Sequence, residues 1–396
     1  MKHPFLTPGS VAYDDVLWDW DSWLSDVALR QVLWETSDES ERRRALPYER
    51  GCILNYLNWS REAGIDGWVP IVVHRSGPEK PEDFLRRNMH KPCLAQHAAF
   101  LVREDGGDAE WLREQMPYLE YFINCYRNHH RHACGLYFWQ NDAAIGVDND
   151  PCTFGRPPRS SGSIYLNSLM YREMLALAYL LDQLNLGEVA NQYRADAEAL
   201  KGAVNRYCWD RRDGFYYSVD LNVSRGPDCD WSGEHLHAGQ PLDWQCLIQR
   251  IGVWSGFLPL WAGLANKSQA RLAARHYANS ETFGAPFGVR TLSKMESMYN
   301  LRASGNPSSW LGPIWGISNY MTFRGFVRYG LFESARDLAE KTIRLFARDL
   351  ERFGKFHEYY QPENGEPILN PGFQNWNYLV LNIAAWIEGR HTVEEF

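Results

Sequence analysis

Apolar residues recur at three- and four-residue steps through most of the chain. Leu166, Leu169, Met170, Met174, Leu177, Leu181 and Leu184 mark one face of a helix. A short connection at Gly187 leads into a second periodic run, Val189, Ala190, Tyr193, Ala197, Leu200 and Val204. The same helix–turn–helix rhythm joins KPCLAQHAAFLV to DAEWLREQMPYLEYFINCY through Gly106–Gly107. It joins FLPLWAGLA to SQARLAARHYA through Asn266–Lys267, where Ser268 is the expected N-cap, and PIWGISNYMTFRGFVRYG to ESARDLAEKTIRLFARDL.

In each pair the first helix is richer in apolar and small residues and the second carries more charge, as expected if the first lies inside and the second outside. First helices are predicted near 20–34, 91–103, 164–184, 256–266, 313–330 and 374–388. Six such hairpins predict an all-α fold, an (α/α)6 toroid (a six-hairpin barrel), as a single catalytic domain over 1–396. Minor peripheral strands are expected, for example at 214–221. An irregular α-solenoid is the alternative, disfavoured because the unit lengths vary and the long loops are aromatic.

Composition narrows the partners. A net charge of −8 over 396 residues argues against nucleic acid or an anionic membrane as the main partner. No apolar segment approaches a membrane span, and MKHPFLTPGS lacks the apolar run of a signal peptide, so a cytoplasmic protein is expected. The cysteines at 52, 93, 125, 134, 152, 208, 229 and 246 have no regular spacing and read as reduced, mostly buried thiols. The 17 Trp and 21 Tyr suit either a large aromatic core or a site that stacks on sugar rings.

The unusual residues gather in the connections that precede inner helices. WDWDSW places Trp18, Asp19, Trp20 and Asp21 at a helix start, where a carboxylate either caps the helix or, beside indoles, forms part of a sugar platform. GVDNDPCTFGRPPR holds Asp148, Asn149, Asp150, Arg156 and Arg159; an Asx turn before Pro151 and an Arg salt bridge are the structural reading of this loop. NPSSWLGPIWGISNY supplies Trp310, expected to face a cavity, and Trp315, expected to pack in the core. FHEYYQPENGEP sets Glu358 beside Tyr359, and FQNWNYL contributes Gln374 and Trp376. Asp148 and Glu358, about half the chain apart, are the best-placed pair for glycoside hydrolysis. That chemistry needs one protonated carboxyl to donate to the leaving oxygen and one ionised carboxylate to act on water or the sugar. Aromatic burial would raise one pKa while polar neighbours keep the other group ionised.

At these residues the sequence resembles the family 63 glycoside hydrolases, especially the bacterial mannosylglycerate and glucosylglycerate hydrolases and related α-glucosidases. WDWDSW, GVDNDP, YLNSLMYREMLALA, WDRRDGFYY, FLPL, WLGPIW, EYYQPENGEP and FQNWNYL follow one another in that family's order over most of the chain. The resemblance implies an inverting, exo-acting α-glycoside hydrolase of a small α-glucoside or α-mannoside, with Asp148 as general acid and Glu358 as general base. It implies that Trp20 and Asp21 hold the non-reducing-end sugar and that Trp310 and Trp315 form an aromatic wall. Where many members have Gln-Pro-Pro, this chain has Lys91-Pro92-Cys93. Small members act on sugars attached to an organic acid, and Arg156 with Arg159 is a candidate clamp for such a carboxylate.

No cofactor is required for that chemistry, and the expected partner is a small carbohydrate. His129, His130 and His132 read as a solvated run rather than a metal site, and Asp228 with Asp230 as a weak calcium candidate, so no metal is expected. Three alternatives stay open: a trehalase-like hydrolase, a sugar 2-epimerase using His235, His237 and His357 as acid/base pairs, and a non-catalytic sugar-binding toroid.

Overall fold

In the computed structural model, which describes residues 1–64, 67–76, 81–223, 232–233, 244–302 and 308–396, the helices follow the paired rhythm of the apolar runs. The inner and outer members of five hairpins are α1 (Asp19–Thr36) and α2 (Glu39–Ala63), α3 (Leu94–Glu104) and α4 (Met116–His129), α5 (Ile164–Gln183) and α6 (Gly187–Tyr207), α7 (Leu258–Ala262) and α8 (Lys267–Ala278), and α9 (Gly316–Arg328) and α10 (Phe332–Phe353). A 3₁₀ turn, Asn375–Leu379, leads into a last inner helix, α11 (Val380–Ile387).

Burial separates the two layers as the composition predicts. Helix α5 is buried almost all round, including Asn167, Ser168 and Glu173, whereas α6 buries only the stripe Ala190, Tyr193, Ala197, Leu200 and Val204. An all-round apolar helix belongs in an interior, and a striped one on a surface. The inner segments close on themselves: α1 packs on α3, α3 on α5, α5 on α7, α7 on α9, α9 on the 375–379 turn, and that turn back on α1. The fold is an (α/α)6 toroid. It departs from six complete hairpins in one respect, because α11 is followed by an extended tail.

That tail is built into the ring. Val393 N donates to Gln31 Oε1 at 2.8 Å, and Glu395 accepts from Trp261 Nε1 at 3.0 Å, Tyr320 OH at 2.5 Å and Arg324 Nε. Burial alone would push the Glu395 carboxyl up, but the guanidinium groups of Arg324 and Arg172 hold it down at about 2.

Several boundaries move for local reasons. The predicted 256–266 helix is a 3₁₀ turn, Trp254–Phe257, followed by the five-residue α7, because Gly263 at φ 83° ends it in the left-handed region. Asn266, not Ser268, caps α8, accepting from Ser268 N and Gln269 N in a reciprocal capping box with Gln269. The 214–221 strand splits in two. Phe215–Tyr216 pairs with Trp209–Asp210, while Val219–Asp220 lies between Ser161–Gly162 and Leu247–Ile248. The break at Ser218 has a use, since its Oγ accepts from Ile164 N and so fixes the start of α5.

Short strands also precede α1 (Val16–Trp18, paired with Val72–His74) and α9 (Ile314–Trp315, paired with Tyr359–Tyr360). They pin the connections that enter the inner helices at one end of the ring. All seven described cysteines are free thiols, five of them buried; Cys229 lies outside the described residues. Among the described residues no helix is long and apolar enough to cross a membrane.

Candidate active site

The connections entering α1, α3, α5, α9 and α11 converge on a cavity of about 280 Å³. Its lining includes Tyr13, Trp18, Trp20, Asp21, Lys91, Gly146, Asp148, Trp315, Glu358, Phe373 and Trp376. That volume sits near the small end of ligand sites, roughly 300–1,000 Å³, which suits one sugar ring.

Each acidic side chain is delivered by a local device. Asn149, at φ 54°, accepts from Trp310 N at 3.0 Å and donates to Ser308 O at 3.3 Å, which ties the Asp148 loop to the loop entering α9. Asp150 Oδ1 accepts from Cys152 N at 2.9 Å across Pro151, so the Asx turn is real and belongs to Asp150, leaving Asp148 to the cavity. Glu358 stands at the start of a hairpin. Its N–H donates to Leu369 O at 3.0 Å, and the paired strands bring it beside Trp315. Asp21, in the first turn of α1, accepts from Asn375 Nδ2.

Electrostatics differ among these groups. Burial pushes the Glu358 carboxyl up to about 7, with the negative charge of Asp148 adding to the rise; hydrogen bonds from Asn370 and from Tyr13 OH (3.3 Å) oppose it. Burial likewise raises Asp21 to about 7, reinforced by the neighbouring charge of Asp19. For Asp19 burial works in the same direction, but the Lys91 ammonium outweighs it, and its carboxyl lies below the ordinary range. Asp19 is therefore an ion-pair partner of Lys91, at 2.8 and 3.0 Å, and its Oδ1 also accepts from Trp20 N at 2.8 Å at the start of α1. Lys91 Nζ also lies 5.1 Å from the centre of the Trp20 ring.

Of the residues singled out from the sequence, Asp148, Glu358, Trp18, Trp20, Asp21, Trp315 and Trp376 meet in the cavity. The roles expected of Trp310 and Trp315 are exchanged. Trp315 lines the wall, while Trp310 stacks behind it at 4.2 Å and 11°. Tyr359 stacks on Trp315 at 4.8 Å and is fully buried, so it supports the wall without lining it. Gln374 does not line the cavity; its N–H donates to Pro8 O at 3.1 Å.

The two arginines are not brought to the cavity either. Arg156 pairs with Asp220, and Arg159 Nε donates to Gln140 Oε1 at 2.7 Å. His357 turns to Asp349 at 3.0 Å, while His235, His237, Asp228 and Asp230 lie outside the described residues. Within the histidine run, His129 is exposed but His130 is buried against Tyr126 and Phe138, a correction to the solvated reading. Among the described residues no group of three metal-ligating side chains forms. The sequence reading missed Tyr13, Asn370, Phe373 and Asn375, and it left Lys91 as a departure without a role. The site partners of Tyr13 and Asn375 lie 345 and 354 positions away, respectively.

Gly146 shows how tightly the floor is built. At φ 84° its backbone is in the left-handed region, and an added Cβ would lie 2.4 Å from Lys91 Cε and 2.9 Å from Trp20 Cζ2. Gly146→Ala is expected to cost about 1–2 kcal/mol from the backbone alone and to lower kcat/KM by displacing Lys91 and Trp20. Thermal unfolding and steady-state kinetics of the variant check both effects.

The structure is an (α/α)6 ring with two carboxylates, Asp148 and Glu358, lining an aromatic cup at one mouth. Residues 15–377 match the mannosylglycerate hydrolase MGH1-like glycoside hydrolase domain, and the chain belongs to that family. It is 30% identical over 410 residues to mannosylglycerate hydrolase MGH1 of Selaginella moellendorffii, covering 93% of this chain and 80% of that protein. With the mannosylglycerate hydrolase of Thermus thermophilus the identity is 29% over 215 residues; that match takes in 52% of this chain and 40% of the relative's length. In three dimensions the chain is similar to a GH63 mannosylglycerate hydrolase from Thermus thermophilus in complex with glucose, with a TM-score of 0.68, 22% identity and 95% of both chains covered.

Proposed function

We propose that the chain is an inverting, exo-acting hydrolase of a small α-glucoside or α-mannoside, acting as one catalytic domain. The observation that carries this reading is that Asp148 and Glu358, from loops half a chain apart, line the same aromatic cavity. In this reading a sugar ring lies among Trp18, Trp20, Trp315 and Trp376, with hydroxyls held by Asp21. Asp148 donates its proton to the glycosidic oxygen as the bond to C1 breaks. Glu358 takes a proton from water, and the hydroxide oxygen forms the new bond to C1 from the opposite face. A base with a pKa near 7 is poised for work near neutrality. The family and the names of its relatives make glycosyl-glycerates the first substrates to test. Arg156 is paired with Asp220 and Arg159 with Gln140, so for either to bind a carboxylate on the leaving group it would have to exchange that partner.

The test is turnover of a panel of α-glucosides, α-mannosides, trehalose and glycosyl-glycerates followed by NMR. The β-anomer is expected first, before mutarotation. Initial release of the α-anomer would overturn inversion, and binding without turnover of any member would leave the carboxylate pair without its assigned role.

A further inference from the structure

Tyr13, two residues before the segment that matches the family, lines the cavity from a turn of its own. The turn is anchored at both ends. Pro8 O accepts from Gln374 N and Asn375 N, both at 3.1 Å, and Val16–Trp18 pairs with Val72–His74. Between them Tyr13 N donates to Ser10 O at 2.9 Å, and Val11, Ala12, Asp14 and Asp15 are all exposed. Tyr13 alone of these turns inward, its ring edge-on to Trp18 at 5.7 Å and to Phe373 at 5.8 Å. Its hydroxyl donates to Glu358 Oε1, while Asn370 Nδ2 donates to Oε2. Both oxygens of the carboxylate are therefore held, and the phenol is the donor on the cavity side.

We propose that Tyr13 is a positioning residue for hydrolysis: its hydroxyl orients Glu358 toward the attacking water and favours the ionised carboxylate that receives the water's proton. The proposal rests on the assignment of Glu358 as base. Burial and the surrounding carboxylates push the phenol's own pKa far above neutrality, so it remains a donor throughout the working range. The other groups facing Glu358 among the described residues are Asp148 across the cavity and Asp21 on α1, with Lys91 and Asp19 paired beyond it; the adjacent His357 is bound to Asp349. No other described donor besides Asn370 is bonded to the Glu358 carboxylate.

The test is the pH profile of Tyr13→Phe, which keeps the ring and its contacts with Trp18 and Phe373. Removing a donor to the ionised form raises the pKa of Glu358, so the acid limb of kcat/KM should move upward by about one pH unit, a tenfold loss on the limb. The loss should fall in kcat with KM little changed, and thermal unfolding should match the parent. An unmoved limb, or a rise in KM with kcat intact, overturns the proposal, the second outcome making Tyr13 a substrate contact. Glu358→Gln measured alongside separates the two assignments. If that variant keeps full turnover, the base assignment falls and this proposal with it; if it is inactive while the Tyr13→Phe limb stays put, only this proposal falls.

Discussion

Glu358→Gln and Asp148→Asn are each expected to lower kcat on an unactivated α-glycoside by about 10²–10⁴, the range a positioned general base or acid contributes. The two losses should differ in kind. A leaving group that departs as a stable phenolate needs little help from an acid, so Asp148→Asn should recover much of its rate on a nitrophenyl glycoside. Glu358→Gln should stay slow on both substrates, because water still has to be deprotonated. Equal losses on both substrates for both variants would contradict the assigned roles.

Neither loss should come from unfolding. The folded pKa of Glu358 is raised to about 7 from an ordinary value of 4.5. A group raised in this way stabilises the fold fully below its unfolded pKa, and that contribution is lost as pH rises through the folded pKa. Glutamine cannot ionise and so escapes the loss. Above pH 7 the Glu358→Gln variant should therefore melt no lower than the parent, which thermal scans at pH 6 and pH 8 measure. A carboxylate placed where burial disfavours its charge costs stability above its pKa, which is what the proposed catalytic role of Glu358 predicts.

How much of this could be read from the chain depends on the range of the signal. Helical periodicity is local, so the inner and outer runs were legible to within a few residues, and the difference in charge between paired helices gave the layers. The connections carrying Asp148, Glu358, Trp20 and Asp21 were legible because Gly, Pro and aromatics interrupt that periodicity at each entry to an inner helix. What could not be read depends on pairings across the ring. Nothing adjacent to Tyr13 points to Glu358, 345 positions away, and even Asn370, 12 positions on, reaches it only through the register of their hairpin. Trp310 and Trp315 sit in one short motif, and which indole faces the cavity depends on packing the motif does not show, Trp310 lying between Trp254 and Trp315. A salt bridge is the structural reading of the Arg156–Arg159 loop and the anion clamp the candidate beside it; which partners they take, Asp220 and Gln140, is invisible from the loop itself. Asp19 and Asp21 are two residues apart, yet one is held ionised and the other is raised to about 7, because Lys91 from another hairpin hydrogen-bonds only the first and acts on the second through charge alone.

That ion pair sets the second large effect. The side chains of Lys91 and Asp19 are 2% and 0% exposed, and the carboxylate also accepts from Lys91 N at 2.9 Å. Lys91→Met keeps the apolar stem over Trp20 but leaves Asp19 buried without its counter-charge, a change that typically costs about 3–5 kcal/mol. The double variant Lys91→Met with Asp19→Asn removes both charges together and should recover most of that loss, since a neutral pair of similar shape carries no such penalty. Chemical denaturation of the parent, the two single variants and the double variant gives the coupling directly. A single-variant cost under about 1 kcal/mol would mean that water enters beside Asp19 and solvates it. The pair also acts on the neighbouring sugar-facing carboxyl. Asp19 raises the pKa of Asp21 and Lys91 lowers it. Lys91→Met should therefore shift Asp21 further toward its protonated form, and the double variant should return it toward the parent. Asp21 in the single variant would then donate to a sugar hydroxyl where the ionised group accepts, so KM should respond to Lys91→Met more strongly than to the double change.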